Sequence, residues 1–315
     1  MTGTPIVSII VASYNYEAFI GAAIQSIIEQ TVSDIEILVI DDASTDRSMQ
    51  VISGFSDPRI KLYVNETNMG SSFTYNRGAS LAKGEYIAYL DSDDCMDPRK
   101  TELQLERFSR NPGIDIVSTY FKCIDDAGGR HTTLADTYEG WGNQPHDFNV
   151  LDTWIVRCLV SGSVMHRRSL HDQIGFRDLT MTLADYDLWT RAFRSGCRFD
   201  IVGIPLHLYR VHGNNSGYSD PMRAFLELTY AVGKNLIPLM EAPQRLRSMG
   251  KMVEWILGHE HFASLPEVDR YRLLALLLSA PDLADFAAFK AALVDDRNDP
   301  ALTELGRRFH AAFTQ

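Results

Sequence analysis

The sequence predicts an α/β fold: a mostly parallel sheet flanked by helices, with a helical C-terminal appendage. Three observations carry this. Short β-branched apolar runs alternate with segments of helical period through the first half of the chain. Three of those runs stop at polar or acidic clusters, as strands do at the ligand-binding edge of a doubly wound sheet. After Asn214-Asn215-Ser216-Gly217 the chain turns rich in Ala, Leu and Met and shows no strand pattern.

Ile6–Ala12, bounded by Pro5 and Asn15, reads as the first strand. No basic segment precedes it, so a buried strand is expected and not a signal peptide. Within Glu17–Gln30, apolar residues from Phe19 to Ile28 recur at helical spacing. Glu36–Ile40 is a second strand and ends in Asp41-Asp42. Thr45–Phe55 reads as a helix with Ser44 as its N-cap and Asp46 in the first turn. A strand at Ile60–Val64, a helix at Ser72–Ala82 closed by Gly84, and a strand at Tyr86–Leu90 follow. Pro98 then opens a helix through Arg110. Short apolar strands joined by helices imply right-handed crossovers and a parallel sheet. From residue 111 the pattern loosens. Ile114–Phe121 reads as a strand, Asp125–Arg130 as a turn and His131–Asn149 as a polar loop. Leu183–Ser195 reads as a helix, and Phe199–Ile204 and Leu206–Tyr209 as strands. The expected division is 1–217, with halves of about 1–110 and 111–217, and a helical region 218–315.

The 315 residues are 45% hydrophobic and 23% charged, which excludes a disordered, collagen-like or coiled-coil chain. The formal charge of −11 argues against nucleic acid as a partner, because coating phosphates requires a basic face. The acidic excess is local. Residues 221–315 hold 11 basic and 12 acidic side chains, leaving 19 and 29 upstream. A divalent cation is one reason for carboxylates to gather there. Four scattered cysteines form no CxxC pair, so neither a structural zinc site nor a disulfide framework is expected. No apolar run approaches the roughly 18 residues of a membrane span, and the reading is a cytoplasmic protein, with the inner membrane face as the one alternative.

The clusters carry the chemistry. Asp91-Ser92-Asp93-Asp94 directly follows a strand, and a D-x-D spacing there can aim carboxylates at one hard cation, Mn2+ or Mg2+. A solvated acidic turn is the alternative; an EF-hand loop fails because Cys95 and Met96 interrupt its ligand pattern. Asp41 and Asp42 can accept hydrogen bonds from a base or ribose. Asn76 and Arg77 enter a helix after a loop containing Gly70, and Arg77 could face a phosphate or simply solvent. Asp185 starts a helical segment and is either an N-cap or a general base. His212 follows a strand, as a structural histidine or a metal or diphosphate contact. Neither a GxGxxG fingerprint nor a P-loop is present.

In order, VSIIVASYN (7–15), DDASTD (41–46), Asn68–Gly70 with Asn76–Gly78, GEYIAYLDSDD (84–94), SGSVMHRRS (161–169), ADYDLWTRAFRSG (184–196) and YRVHGNNS (209–216) resemble the inverting family 2 glycosyltransferases of the GT-A, Rossmann-like fold. The resemblance covers about residues 5–216. It implies that Ser13, Tyr14, Asn15 and Asp42 hold the nucleotide of a sugar donor. Asn76, Arg77, Asp91 and Ser92 join that set, while Asp93, Asp94 and His212 are implied as metal contacts. Asp185 is implied as the catalytic base. Two positions depart from the family pattern: Ala184 stands where an acidic neighbour of the base is usual, and Ala43 where Gly is usual.

The implied reaction moves a sugar from a nucleoside diphosphate, UDP above others, to a hydroxyl of a saccharide or glycolipid in cell-surface polysaccharide synthesis. A cation offsets charge on the diphosphate, and a base deprotonates the acceptor on the opposite face of the ring. The competing readings are a sugar nucleotidyltransferase, which would want a Gly- and basic-rich loop after the first strand, and a degenerate sugar-nucleotide-binding module. For the tail, three outcomes stand: packing on the catalytic part, a homodimer, or peripheral membrane contact. They rest on the helical stripe in Met249–Leu257 and on apolar Leu273–Leu278.

Overall fold

The structure is a computed structural model and describes residues 4–132, 139–156, 158–213, 215, 227–228, 230–240, 266 and 282–295. In chain order its main elements are β1 (Val7–Ser13), α1 (Ile20–Ile28), β2 (Ile35–Asp41), α2 (Ser48–Ser53), β3 (Ile60–Val64), α3 (Ser71–Leu81), β4 (Tyr86–Asp91) and β5 (Cys95–Met96). Then come α4 (Lys100–Arg110), β6 (Ile116–Ile124), α5 (Leu151–Val156), β7 (Met165–Arg167), α6 (Leu170–Ile174), α7 (Ala184–Arg194), β8 (Phe199–Arg210) and α8 (Phe286–Asp295).

The chain forms two compact units. The first comprises residues 1–149, 157–177 and 195–215; the second comprises 150–156, 178–194 and 216–315. The grouping thus does not follow a single cut near residue 217. Segment 178–194, which carries Asp185, belongs with the C-terminal residues.

The first unit holds one eight-stranded sheet in the order β3-β2-β1-β4-β7-β6-β8-β5. β1 pairs in parallel with β2 and β4, β2 with β3, and β6 with β8. β7 is antiparallel to both its neighbours, and β5 is antiparallel to β8. These two strands, of three and two residues, are too short to leave a periodic signal in the sequence. β1 and β2 are buried on both faces, which is why they read as near-continuous apolar runs. Ile20, Ala23, Ile24 and Ile27 of α1 and Phe108 of α4 join Val7, Ile9, Val11, Ile37 and Leu90 in one core cluster. α3 packs against β1 and β2.

Several boundaries shift for local reasons. Thr45–Phe55 shortens to Ser48–Ser53, and Ser44 is not its cap. The Ser44 hydroxyl instead donates to Asp41 Oδ2 (2.6 Å) and accepts from the Asn15 amide (3.0 Å). Arg47 is the N-cap residue, and Asp46 just ahead of it accepts from Ser48 N at 2.9 Å. α1 starts at Ile20 and not Glu17, and the amides of Tyr16 and Glu17 ahead of it donate to Ser48 Oγ and Asp46 Oδ2. α4 is regular from Lys100, and Asp97 accepts from the Arg99 amide at its entry (2.9 Å). The β6 strand runs from 116 to 124. The two strands expected over 199–209 are one strand, β8, whose register against β6 shifts around Tyr120, opposite Pro205. Proline cannot donate to a ladder, so a bulge is where it fits. The Asp125–Arg130 turn forms as expected, closed by Gly128 N to Asp125 O at 2.9 Å.

In the second unit the α7 segment is tied to residues distant in sequence. Glu227, fully buried, accepts from the Thr182 and Leu183 amides at 3.0 and 2.6 Å just ahead of α7. Asn235 Nδ2 donates to Asp187 Oδ1 and Thr190 Oγ1, each at 3.0 Å. Tyr230 packs its ring against Phe286 and Phe289. The described C-terminal residues hold helical turns and no strand, whereas Met249–Leu257 and Leu273–Leu278 lie outside the described residues.

Candidate donor site at the carboxyl edge of the sheet

Parallel pairing brings the three clusters together. In register, Ser13 stands beside Asp41, and Ala12 beside Asp91. The carboxyl ends of β1, β2 and β4 therefore share one edge. Ser13 is buried and its hydroxyl has no hydrogen-bond partner, whereas Tyr14 is 39% exposed. A cleft of about 360 Å³ opens there, lined by Tyr14, Asn15, Tyr16, Glu17, Phe19 and His212.

The loops around this edge are fastened by their own polar side chains. Asn15 takes a left-handed backbone (φ 55°), and its Oδ1 accepts from the Thr45 amide at 2.8 Å. Ala43, where the resemblance expects Gly, also has positive φ (63°). Asp41 is spent on Ser44, through its amide at 2.8 Å and its hydroxyl. Asp42 is buried and accepts from Asn65 Nδ2 (2.6 Å), Met69 N (2.9 Å) and Gly70 N (2.8 Å), which pins the 65–70 loop.

The acidic run after β4 divides its work. Asp91 accepts from the Tyr75 hydroxyl. Ser92 is buried. Asp93 Oδ2 lies 2.9 Å from His212 Nε2, whose ring stacks near Tyr16 and Phe19. Asp94 is turned elsewhere. Its Oδ1 accepts from the Arg210 amide (2.7 Å), and its Oδ2 lies 3.0 Å from His207 Nε2, off the line of a straight hydrogen bond. Burial raises the affinity of all three carboxyls for protons, and their mutual repulsion adds to it. A cation would relieve that repulsion.

Behind them lies a set of residues that no local motif announced. Arg210 Nε donates to Asp93 O (2.6 Å), Nη1 donates to the Asp125 and Asp126 carbonyls, and the guanidinium covers the Phe19 ring at 4.9 Å. Lys100 is buried, donates to Gly162 O, and is pushed down to about 7 by burial against the pull of Asp94 and Asp91. Burial likewise pushes His207 down to about 3. A Cβ at Gly162 would stand 2.4 Å from His207 Cε1, so only glycine lets that ring pack. The quoted YRVHG and SGS segments contained Arg210 and Gly162, but nothing in their spacing revealed that Arg210 meets the acidic run or that Gly162 meets Lys100 and His207.

Two expected donor contacts are occupied within the protein. Asn76 grips the backbone of Arg177, donating to its carbonyl (2.9 Å) and accepting from its amide (3.0 Å). Arg77 donates to Val64 O (2.8 Å) and to Asn65 Oδ1. Asp185 is half-buried in the first turn of α7, one residue inside the helix and not at its cap. Among the described residues no group of three or more His, Cys, Asp or Glu side chains is arranged to hold a metal. No helix among them is long and apolar enough to cross a membrane.

Acidic and polar strand ends share the carboxyl edge of an α/β sheet whose architecture is that of the GT-A fold. The description Glycosyl transferase family 2 fits residues 8–175, just over half of the chain. The chain belongs to that family and is a glycosyltransferase. EpsE of Bacillus subtilis, a glycosyltransferase by name, is 30% identical over 253 residues, covering 78% of this chain and 85% of EpsE. An Escherichia coli protein, UDP-Glc:alpha-D-GlcNAc-diphosphoundecaprenol beta-1,3-glucosyltransferase WfgD, is 42% identical over 106 residues, 34% of this chain and 42% of its own length. The fold is similar to that of S. aureus TarS, solved in complex with UDP, at a TM-score of 0.66 and 17% identity over 98% of this chain and 88% of that one.

Proposed function

We propose that the chain transfers a sugar from a nucleoside-diphosphate sugar, a UDP-sugar foremost, to a hydroxyl of a saccharide or glycolipid acceptor, with inversion at the anomeric carbon. The observation that carries it is the shared carboxyl edge of β1 and β4, where Asp91 stands beside Ala12 and Asp93 meets His212, which lines the cleft at the end of β1. The UDP named for TarS and the UDP-glucose and lipid-linked acceptor named for WfgD support the donor and acceptor classes.

A divalent cation fits the donor set. Asp93 and His212 offer one carboxylate and one imidazole, a pair suited to Mn2+ more than to Mg2+, which prefers an all-oxygen shell, when diphosphate and water oxygens complete the coordination. Asp94, committed to Arg210 and His207, acts from behind. The bound cation would supply charge neutralisation on the departing diphosphate. The protein does the rest. Ser13 and Asn15 border the nucleotide, Asp42 fixes the loop beside it, and Asp91 accepts from a donor hydroxyl. Asp185, by the family resemblance, removes the proton of the attacking acceptor hydroxyl. One base suffices, and no protein nucleophile is needed for inversion.

Calorimetry of UDP with and without Mn2+ tests this. Wild type is expected to bind UDP more tightly with Mn2+, and Asp93→Ala to lose that enhancement while its fold is kept. Equal binding with and without the ion in wild type would overturn the metal assignment. No affinity for UDP at all would overturn the donor reading.

A further inference from the structure

We propose that Tyr75 and Arg177 are positioning residues for Asp91, holding its carboxylate so that one oxygen stays turned to the donor. This rests on the donor reading above. Tyr75 is 4% exposed, and its hydroxyl donates to Asp91 Oδ1. That bond occupies one oxygen and leaves Oδ2 as the acceptor for a donor hydroxyl. A carboxylate turns freely over a broad torsional range, so one fixed partner decides its plane.

Tyr75 is itself held from both sides. Its ring meets Tyr89 edge-on, with centroids 5.3 Å apart. The Arg177 guanidinium lies 4.4 Å from the Tyr75 centroid and 5.0 Å from that of Tyr89. Arg177 is 8% exposed, its Nη2 donates to Ser161 Oγ at 2.8 Å, and its Nε has no partner. It makes no direct ion pair with a carboxylate among the described residues. A buried cation without an ion-pair partner is costly, so something must offset it. Two aromatic faces and the field of Asp91, reached across Tyr75, do so here. Asn76, the next residue of α3, grips both backbone groups of Arg177. Consecutive residues Tyr75 and Asn76 thus fix both ends of the arginine. Burial and Asp91 also raise the Tyr75 phenol well above its usual range, which keeps it a donor. Lysine could not replace Arg177, since the planar face is what stacks.

The test is UDP calorimetry in Mn2+ on wild type, Tyr75→Phe, Arg177→Lys, Arg177→Met and the double variant Tyr75→Phe/Arg177→Met, with thermal unfolding of each. Tyr75→Phe, losing one hydrogen bond to a charged group, is expected to weaken UDP binding about 5- to 30-fold. Both Arg177 variants are expected to fall in that range, with the KM for the acceptor unchanged. Because the arginine acts through the tyrosine, the double variant is expected to be no worse than the poorer single. Residues in contact couple in stability as well, so the unfolding data decide between the roles: a packing role lowers the melting temperature without a matching loss of UDP affinity, whereas a positioning role lowers the affinity of variants that stay folded. Wild-type affinity in Tyr75→Phe, or losses that multiply in the double variant, would overturn the proposal while leaving the donor reading intact. If Arg177→Met does not fold, Tyr75→Phe, Arg177→Lys and their double carry the same decision. If wild type does not bind UDP, this proposal falls with the donor reading.

Discussion

Ala43 illustrates how a single backbone angle costs stability at a functional turn. Its φ of 63° is left-handed, a region that costs an L-residue with a Cβ roughly 1–2 kcal/mol. Asn15, at φ 55°, is better suited, since asparagine tolerates that region. Ala43→Gly should relieve the strain but raise the entropy of the unfolded chain, for a net gain of about 0.5–1 kcal/mol in chemical unfolding. A loss of stability would mean that the Ala43 methyl group makes a packing contact worth more than the strain. Lys100 is the second residue with a measurable signature. In the folded protein its ammonium loses its proton near pH 7, whereas in the unfolded chain it keeps it to about 10.4. Between these values the unfolded state binds more protons, so this residue makes stability rise with pH from about 7 upward. Lys100→Met should flatten that rise relative to wild type between pH 7 and 9, read from unfolding midpoints across the range.

The loops after β1, β2 and β4 act as one edge because the strands before them are locked in register. Gly84, ahead of β4, allows that approach. A Cβ there would stand 2.5 Å from Ser8 N and 2.8 Å from Val7 C, both backbone atoms of β1 that cannot rotate away. Gly84→Ala should cost about 3 kcal/mol, at the upper end for overpacking, and should weaken UDP binding by shifting β4 and the acidic run behind it. Unchanged unfolding and binding would show that the β1–β4 junction is softer than its spacing implies. β8 works in the same way from the other side. It delivers His207, Arg210 and, just beyond, His212 to the acidic run, and its Pro205 sits where the register against β6 shifts.

The whole molecule combines a unit holding the eight-stranded sheet with a second unit built from three stretches of chain. Asp185 lies in that second unit, on a helix whose start is held by Glu227 and whose Asp187 is held by Asn235. The C-terminal region therefore supports the helix carrying the expected base, whatever further role it has. Asp185→Asn should leave UDP affinity near wild type and lower turnover by roughly 10²–10⁴-fold, the usual scale for a general base. Transfer at a near wild-type rate would leave Asp185 as no more than an acidic residue in a helix's first turn.

Much of the polar edge of the sheet was legible locally. A strand announces itself by apolar runs, and the residues just past it must lie at its end, so Ser13, Asp42, Asp91 and Asp93 could be grouped by position alone. The alternation of strands and helices likewise determined the parallel half of the sheet. What the sequence could not show was how each side chain is spent once neighbours arrive. Asn76 and Arg77 looked available and are taken by Arg177, Val64 and Asn65. Asp94 looked equivalent to Asp93 and faces Arg210 and His207 instead. The antiparallel strands β5 and β7, Lys100 against Gly162, and the Tyr75–Arg177 stack depend on residues about 50 to more than 100 positions apart. Periodicity and spacing report only on local backbone preference, whereas burial, charge pairing and steric fit between distant segments exist only after the chain has closed on itself.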